Sequence, residues 1–183
     1  IGRAICLRLS AEGADIAVTD LRLDNAGKVA SEIQSAGGNA KAYKADVTSS
    51  SEVKNVVEQA LCDFGKIDIL VNNAGGSAGL LGKLSNFKDT TEDIWSWVID
   101  LNLNGTMRFT HALINHMVNR KTGKIINIAS IAAEVGIVDR VDYSAAKGGV
   151  VAMSKAFAME VGRYGVTVNC ISPGLISRKD DTE

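Results

Sequence analysis

Residues 125–147 read IINIASIAAEVGIVDRVDYSAAK. The run opens as a near-continuous apolar segment with one polar break, the pattern of a buried strand. Ser130 stands where that strand ends. Tyr143 follows thirteen residues later and Lys147 four after that. A tyrosine and a lysine at i and i+4 share a helix face. A hydroxyl at the strand end would face them across the loop. Ser130, Tyr143 and Lys147 therefore form a candidate acid–base cluster.

On either side the chain alternates helical and extended patterns. Residues 1–13 place Ile1, Ile5 and Leu9 at helical spacing and stop at a glycine. ADIAVTD (14–20) is a short strand ending in an acid, and 24–36 is an amphipathic helix closed by Gly37-Gly38. AKAYKADV (40–47) is a strand. Residues 49–64 form a helix with Ser49 or Ser50 as cap and a stripe of Val53, Val56, Val57 and Ala60. KIDILVNNAGG (66–76) is a strand entering a glycine turn. Thr91, or a neighbour, caps one long helix to Asn119; GKIINIAS (123–130) is a strand; 143–164 is a helix; VTVNCIS (166–172) is the last strand. Mostly apolar strands alternating with helices predict an α/β fold, a doubly wound parallel sheet with helices on both faces in a single domain. Ligands bind such sheets outside the carboxyl ends of the strands. Asp20, Asp46, Asn72–Gly76, Ser130 and Pro173-Gly174 all fall there.

Composition excludes several classes. The chain has 183 residues, 46% hydrophobic and 22% charged, with formal net charge −1 and interspersed signs. That is an ordinary globular composition with no basic footprint for nucleic acid. No apolar run reaches the length of a membrane span. Cys6, Cys62 and Cys170 are widely spaced in apolar patterns and read as buried free thiols of a reducing, cytoplasmic compartment. His111 and His116, five apart without a carboxylate or thiol cluster, do not read as a metal site. Opening at Ile1-Gly2-Arg3 without methionine or signal peptide, and ending in the polar run 178–183, the sequence reads as one domain, 1–183, cut from a longer protein at both ends.

Asn72-Asn73-Ala74-Gly75, Ser130, Tyr143-Ser144-Ala145-Ala146-Lys147 and Asn169…Pro173-Gly174, in this order, resemble the short-chain dehydrogenase/reductase family over the whole chain. The resemblance implies a Rossmann-type domain, a nicotinamide cofactor, and hydride transfer with a secondary alcohol or ketone. It implies catalytic roles for Asn102, Ser130, Tyr143 and Lys147. A free tyrosine titrates near ~10 and is a poor base at neutral pH. Lowering it by about three units takes roughly 4 kcal/mol. A lysine ammonium ~4–5 Å away at an effective dielectric of ~20 supplies about that much. Tyr143 would then exchange a proton with the substrate while Ser130 holds its oxygen. Lys147 would also bind the nicotinamide ribose. Asn102, in DLNLNGT, fits the family's Asn-Leu-x-Gly placement better than Asn104 and would hold a water relaying protons to Lys147.

By the same resemblance the cofactor would meet Gly2, Asp20, Asp46, Val47, Asn73, Ala74, Gly75, Tyr143, Lys147, Pro173, Gly174 and Ile176. Asp20, eighteen residues past Gly2, can accept hydrogen bonds from the adenosine ribose and would repel a 2′-phosphate. NAD is thus expected, with NADP left as the alternative by Arg22. Ile1-Gly2 matches the end of the family's glycine turn, whose preceding strand is absent; the chain alone is expected to bind NAD poorly. Ser177-Arg178 stands where the family often carries a threonine, and substrate-closing segments are missing. Ser77, Leu80, Leu81 and Phe87 of the 76–90 loop can line part of a substrate pocket. Trp95, Trp97, Met107, Phe109, Val150 and Val151 exceed one sheet-facing stripe, and the resemblance implies that their helices pair subunits into dimers or tetramers. A sugar-nucleotide epimerase or dehydratase is the competing enzyme. A non-catalytic dinucleotide-binding protein is the competing class, and a Ser–Lys hydrolase would leave Asp20 and Asp46 unexplained.

Overall fold

A computed structural model describes residues 1–176; the Ser177-Arg178 position lies outside the described residues. The elements run α1 (Gly2–Ala11), β1 (Ile16–Asp20), α2 (Leu23–Ser35), β2 (Ala40–Lys44), α3 (Ser50–Phe64) and β3 (Ile69–Asn72). After them come α4 (Glu92–Ile99), a π turn (Asp100–Asn104), α5 (Gly105–Arg120), β4 (Gly123–Ile128), α6 (Ala132–Val135), α7 (Val141–Val161) and β5 (Val166–Ile171). Every strand expected from the apolar runs is present. The long helix expected over 91–119 is continuous but carries the π turn in its middle.

All pairings are parallel. β1 pairs with β2, and β3–β4–β5 form a second sheet in register Asn72↔Asn127 and Ile126↔Asn169. β1 and β3 do not pair with each other among the described residues, so each keeps one open edge. That arrangement matches the two halves of a doubly wound sheet, either side of its innermost strand.

Helices cover both faces. On one face of β1–β2, Ile16, Val18 and Ala40 pack against Ala26, Ala30 and Ile33 of α2, with Cys6, Leu7 and Leu9 of α1 alongside. The predicted α1 stripe is therefore displaced: Leu9 packs, but Ile1 is exposed. On the other face Tyr43 meets Val56 and Ala60 of α3. The whole predicted α3 stripe is buried and Ser49 caps the helix through the Glu52 N–H, as expected. The main core joins Leu113 and Met117 of α5 to Ile125, Val166 and Val168 of the second sheet.

Through that core runs a polar chain that no sequence pattern announced. Asn72 Nδ2 donates to Thr110 Oγ1 (3.1 Å) and to Asn127 Oδ1 (2.8 Å). Asn127 Nδ2 donates to Ser154 Oγ (2.8 Å), whose hydroxyl donates to the Val150 carbonyl (2.7 Å). All four side chains are buried, and each bond prevents a desolvation cost of about 1–3 kcal/mol. The chain ties α5, β3, β4 and α7 into one block.

Three expectations are corrected. Cys62 is exposed, and Cys6 and Cys170 are only half-buried, because α3 turns Cys62 away from its valine stripe. Thr91 stands at the N-cap position of α4 as expected, but its side chain makes no bond to the helix backbone. Val150 is completely buried within this chain beside Ser154, so it is not part of any outward apolar surface.

His116 has a structural role. Its Nε2 accepts from the Ile67 N–H (3.3 Å) and faces the Arg120 guanidinium (3.2 Å), which also pairs with Asp68. Burial and then Arg120 push the imidazole below its ordinary value of 6.5, against the opposing pull of Asp68. The unfolded chain thus takes up this proton more readily, and the stability is present above pH 6.5 and lost as pH falls below it. Urea midpoints measured from pH 7.5 to 5 should decline less steeply for His116→Gln than for the wild type; parallel curves would contradict this.

Candidate active site

The carboxyl ends of β3, β4 and β5 open onto one cleft of about 220 Å³. Each strand end contributes because the chain turns sharply there. Beyond β3 come Asn73 and Gly75; beyond β4 comes Ser130; beyond β5 come Pro173, Gly174 and Ile176, and α7 adds Tyr143 and Lys147. The Ile131 N–H donates to the Pro173 carbonyl (2.9 Å), which locks the Ser130 turn to the Pro-Gly turn. Ser130 Oγ accepts from the Ala132 N–H (3.2 Å) at the start of α6. Tyr143 lies in the first turn of α7, half-buried, with Lys147 one turn on and facing the same cleft.

Lys147 is the most constrained of the group. It is 3% exposed, and its Nζ donates to the Ile128 carbonyl at 2.7 Å. The ammonium stands 5.8 Å from the centre of the Tyr143 ring. Burial pushes its pKa from 10.5 down to about 8, with Cys170 pulling weakly the other way. The group therefore stays mostly cationic at neutral pH.

Asn102 comes to the same place from the π turn. It is completely buried; Nδ2 donates to the carbonyls of Gly76 and Val98 (both 2.8 Å), and Oδ1 accepts the Gly76 N–H (3.0 Å). A π turn inserts an extra residue into the helix and re-aims a side chain. The inward aim of Asn102 follows from it. Gly75 sits between Asn102 and Lys147. A Cβ there would lie 2.4 Å from Asn102 Oδ1 and 3.1 Å from Lys147 Nζ, so only glycine lets these two groups converge. Asn104, in contrast, donates to Asp100 (2.8 Å) and stays out of the cleft.

The remaining predicted residues lie along the carboxyl edge of the first sheet. Asp20 Oδ1 accepts from the Arg22 N–H (2.9 Å) and from Asn25 Nδ2 (3.3 Å). The Arg22 guanidinium turns to Asn25 Oδ1 (3.0 Å). Asp46 accepts from the N–H and hydroxyl of Thr48, and the Ala45 N–H bonds to the Asp20 carbonyl, so both acids sit on one edge. Val47 packs against Gly105. Gly2, at the start of α1, lies so close to Asn73 that a Cβ would come within 2.7 Å of its amide, and Ala74 is exposed on the surface of that turn. An elongated ligand fits this layout: an open cleft at one end, carboxylates at the other, and side-chain-free backbone at Gly2 and Gly75. The partners that hold the site together, Ile128, Gly76 and Val98, act through main-chain carbonyls and N–H groups, which leave no residue-type signal in a sequence.

Phe87 of the 76–90 loop lines a small hollow with Ala78, Val141 and Asp142 beside the cleft, and Ser77 caps the turn Ala78–Leu81 instead of facing the site. Leu80 and Leu81 are exposed. Among the described residues no group of His, Cys, Asp and Glu is arranged to hold a metal ion.

The Lys147 environment has a measurable sign. Folding disfavours the ammonium, so wild-type stability should rise as pH climbs from about 8 toward 10.5. Lys147→Met lacks this group. Its stability relative to wild type should fall across that window by on the order of 3 kcal/mol. Equal slopes in paired urea titrations would show that Lys147 is not desolvated.

Comparison with known proteins follows the same lines. The family model for short chain dehydrogenase matches residues 1–181. A (2S)-[(R)-hydroxy(phenyl)methyl]succinyl-CoA dehydrogenase subunit BbsD from Thauera aromatica is 41% identical over 177 residues, 96% of this chain and 68% of that protein. A 3-oxoacyl-[acyl-carrier-protein] reductase from Synechocystis is 39% identical over 178 residues, 97% of this chain and 70% of that protein. Among solved structures, NAD+-bound xylitol dehydrogenase superposes with a TM-score of 0.92 at 32% identity, covering 98% of this chain and 68% of that one. With its parallel sheets, its cleft at their carboxyl ends and these relatives, the chain belongs to the short chain dehydrogenase family of NAD(P)-dependent oxidoreductases.

Proposed function

We propose that this oxidoreductase interconverts a secondary alcohol and a ketone using NAD, with Tyr143 as general acid–base. The observation that carries the reading is the convergence of Ser130, Tyr143 and Lys147 on one cleft, with the Lys147 ammonium anchored on the Ile128 carbonyl. In the oxidative direction the Tyr143 phenolate takes the hydroxyl proton of the substrate. Ser130 donates a hydrogen bond to the same oxygen and fixes its distance from the tyrosine. A nicotinamide held in this cleft would supply the hydride acceptor for the carbinol carbon. Lys147 stabilises the phenolate electrostatically and offers its remaining donors to the nicotinamide ribose. Asn102 Oδ1 and Lys147 Nζ face each other across Gly75, and a water between them would return the proton to solvent. In the reducing direction every step reverses.

Along the nucleotide, Asn73, Ala74, Gly75 and Gly2 would border the phosphates and nicotinamide ribose. Pro173, Gly174 and Ile176 would border the nicotinamide. Asp46 and Val47 would meet the adenine, and Asp20 the adenosine ribose. Asp20 favours NAD by accepting two ribose hydroxyl bonds and repelling a 2′-phosphate. Arg22, turned toward Asn25, is not directed at that position. The relatives are named for a CoA thioester, an acyl-carrier-protein thioester and xylitol, which share a secondary alcohol or ketone, and that class is the proposed substrate. The cytoplasm, which supplies NAD(H) and keeps Cys6, Cys62 and Cys170 as thiols, is the proposed compartment. The homodimer or homotetramer expectation rests on α4, α5 and α7, where Met107 and Met159 are exposed and Trp95 and Trp97 half-buried.

Tyr143→Phe should lower kcat by about 10²- to 10⁴-fold with little change in the KM for NAD. Wild-type rates on a panel of ketones and alcohols in that variant would refute the assignment. Asp20→Ala should lower kcat/KM with NAD by about tenfold and raise it with NADP. Unchanged cofactor preference in steady-state kinetics would place the discriminator elsewhere.

A further inference from the structure

Arg108 is a largely buried cation two turns beyond the Asn102 bend, and the proposed reaction gives it nothing to do. Its Nη1 donates to the Val47 carbonyl (3.2 Å) and its Nη2 to Asp100 Oδ1 (2.7 Å). Asp100 is the first residue of the π turn and accepts from Asn104 as well (2.8 Å). Its carboxyl titrates below the usual range: burial works to raise it, and the bonds from Arg108 and Asn104 outweigh that. One guanidinium therefore joins the π turn that presents Asn102 to the Asp46–Val47 turn after β2.

That second turn is held on its α3 side by short-range contacts. The Ser49 N–H donates to the Asp46 carbonyl (3.0 Å), the Asp46 N–H to Glu52 (3.0 Å), and Thr48 caps the Asp46 carboxylate. Toward the cleft its position is set differently. The Val47 side chain rests on Gly105, where a Cβ would come within 2.7 Å of Val47 Cγ2, and the Val47 carbonyl is pinned by Arg108. The separation between this turn and the start of α5 is thus fixed by a glycine contact and one arginine fork. Two acceptors on different elements suit the planar fork of arginine, whereas a lysine offers a single point charge.

We infer that Arg108 is a positioning residue for the adenine end of the cofactor site, setting the Asp46–Val47 turn from the same π turn that carries Asn102. The inference rests on the reading of Asp46 and Val47 as the adenine contact. Arg108 touches neither substrate nor cofactor; it acts through the Val47 main chain. Its loss leaves Asp100 paired with Asn104, so the π turn and the chemistry at Tyr143 persist while the adenine slot loosens.

Calorimetric titration with AMP, which carries the adenine and ribose without the nicotinamide, tests this in the purified protein. Arg108→Met should weaken AMP binding at least fivefold and raise the KM for NAD by a similar factor, with kcat within about twofold of wild type. Arg108→Lys should fall between the two, and it decides the matter if the methionine variant does not fold. Asp100→Asn, which keeps an acceptor for the arginine, should bind AMP within twofold of wild type. Equal AMP affinity in wild type, Arg108→Met and Arg108→Lys would overturn the role of Arg108 and leave the adenine contact standing. A uniform fall in kcat and melting temperature without a change in AMP affinity would reduce Arg108 to a packing residue. Failure of AMP to bind the active wild type would remove the adenine contact and this inference together.

Discussion

A lysine ammonium taken almost wholly out of water is the constraint on which this site depends. Desolvation of a cation is expensive, and it is tolerated only where hydrogen bonds replace the lost solvent. The Ile128 carbonyl supplies one such bond, at the residue where β4 ends. The price is a suppressed pKa and a side chain with little freedom. The return is a fixed positive charge beside Tyr143, in surroundings of low polarity where that charge acts strongly. Gly75 and Asn102 are arranged around the same atom, so a change at any of the three alters the others.

The polar chain from Thr110 through Asn72 and Asn127 to Ser154 supports that arrangement from below. Ser154 is seven residues beyond Lys147 on α7, two helical turns along the same face. Asn127 directly precedes Ile128. Its bond to Ser154 therefore sets the height of α7 against β4, and with it the meeting of Lys147 and the Ile128 carbonyl. Buried networks of this kind specify a unique packing when every member is satisfied, as here.

Much of this was legible in the sequence, and the division has physical causes. The strands were readable because a parallel sheet covered by helices requires continuous apolar runs. Ser130, Tyr143 and Lys147 were readable because one helical turn and one strand end fix their spacing. The π turn at Asp100–Asn104 was not, since its residues suit an ordinary helix equally well and the extra residue shows only in the backbone. The outward face assigned to Val150 failed because α7 is apolar nearly all round, so periodicity could not tell its core side from its outer one. Arg108 carried no signal of its own in the sequence, and Asn127 stood there only as a polar break in an apolar strand, because the partners of both are dozens of positions away.

The Asn127–Ser154 link also sets how the molecule can breathe. Separating α7 from β4 would break the buried polar chain and the core around Ile125 at once, which makes that opening costly. The Lys147–Ile128 contact thereby lies in a part of the fold that is costly to open. The segments around residues 77–90 and 136–140, with few buried side chains, are left to open and close at low cost. Local motion in those segments can thus proceed while the contact between Lys147 and the Ile128 carbonyl stays in place.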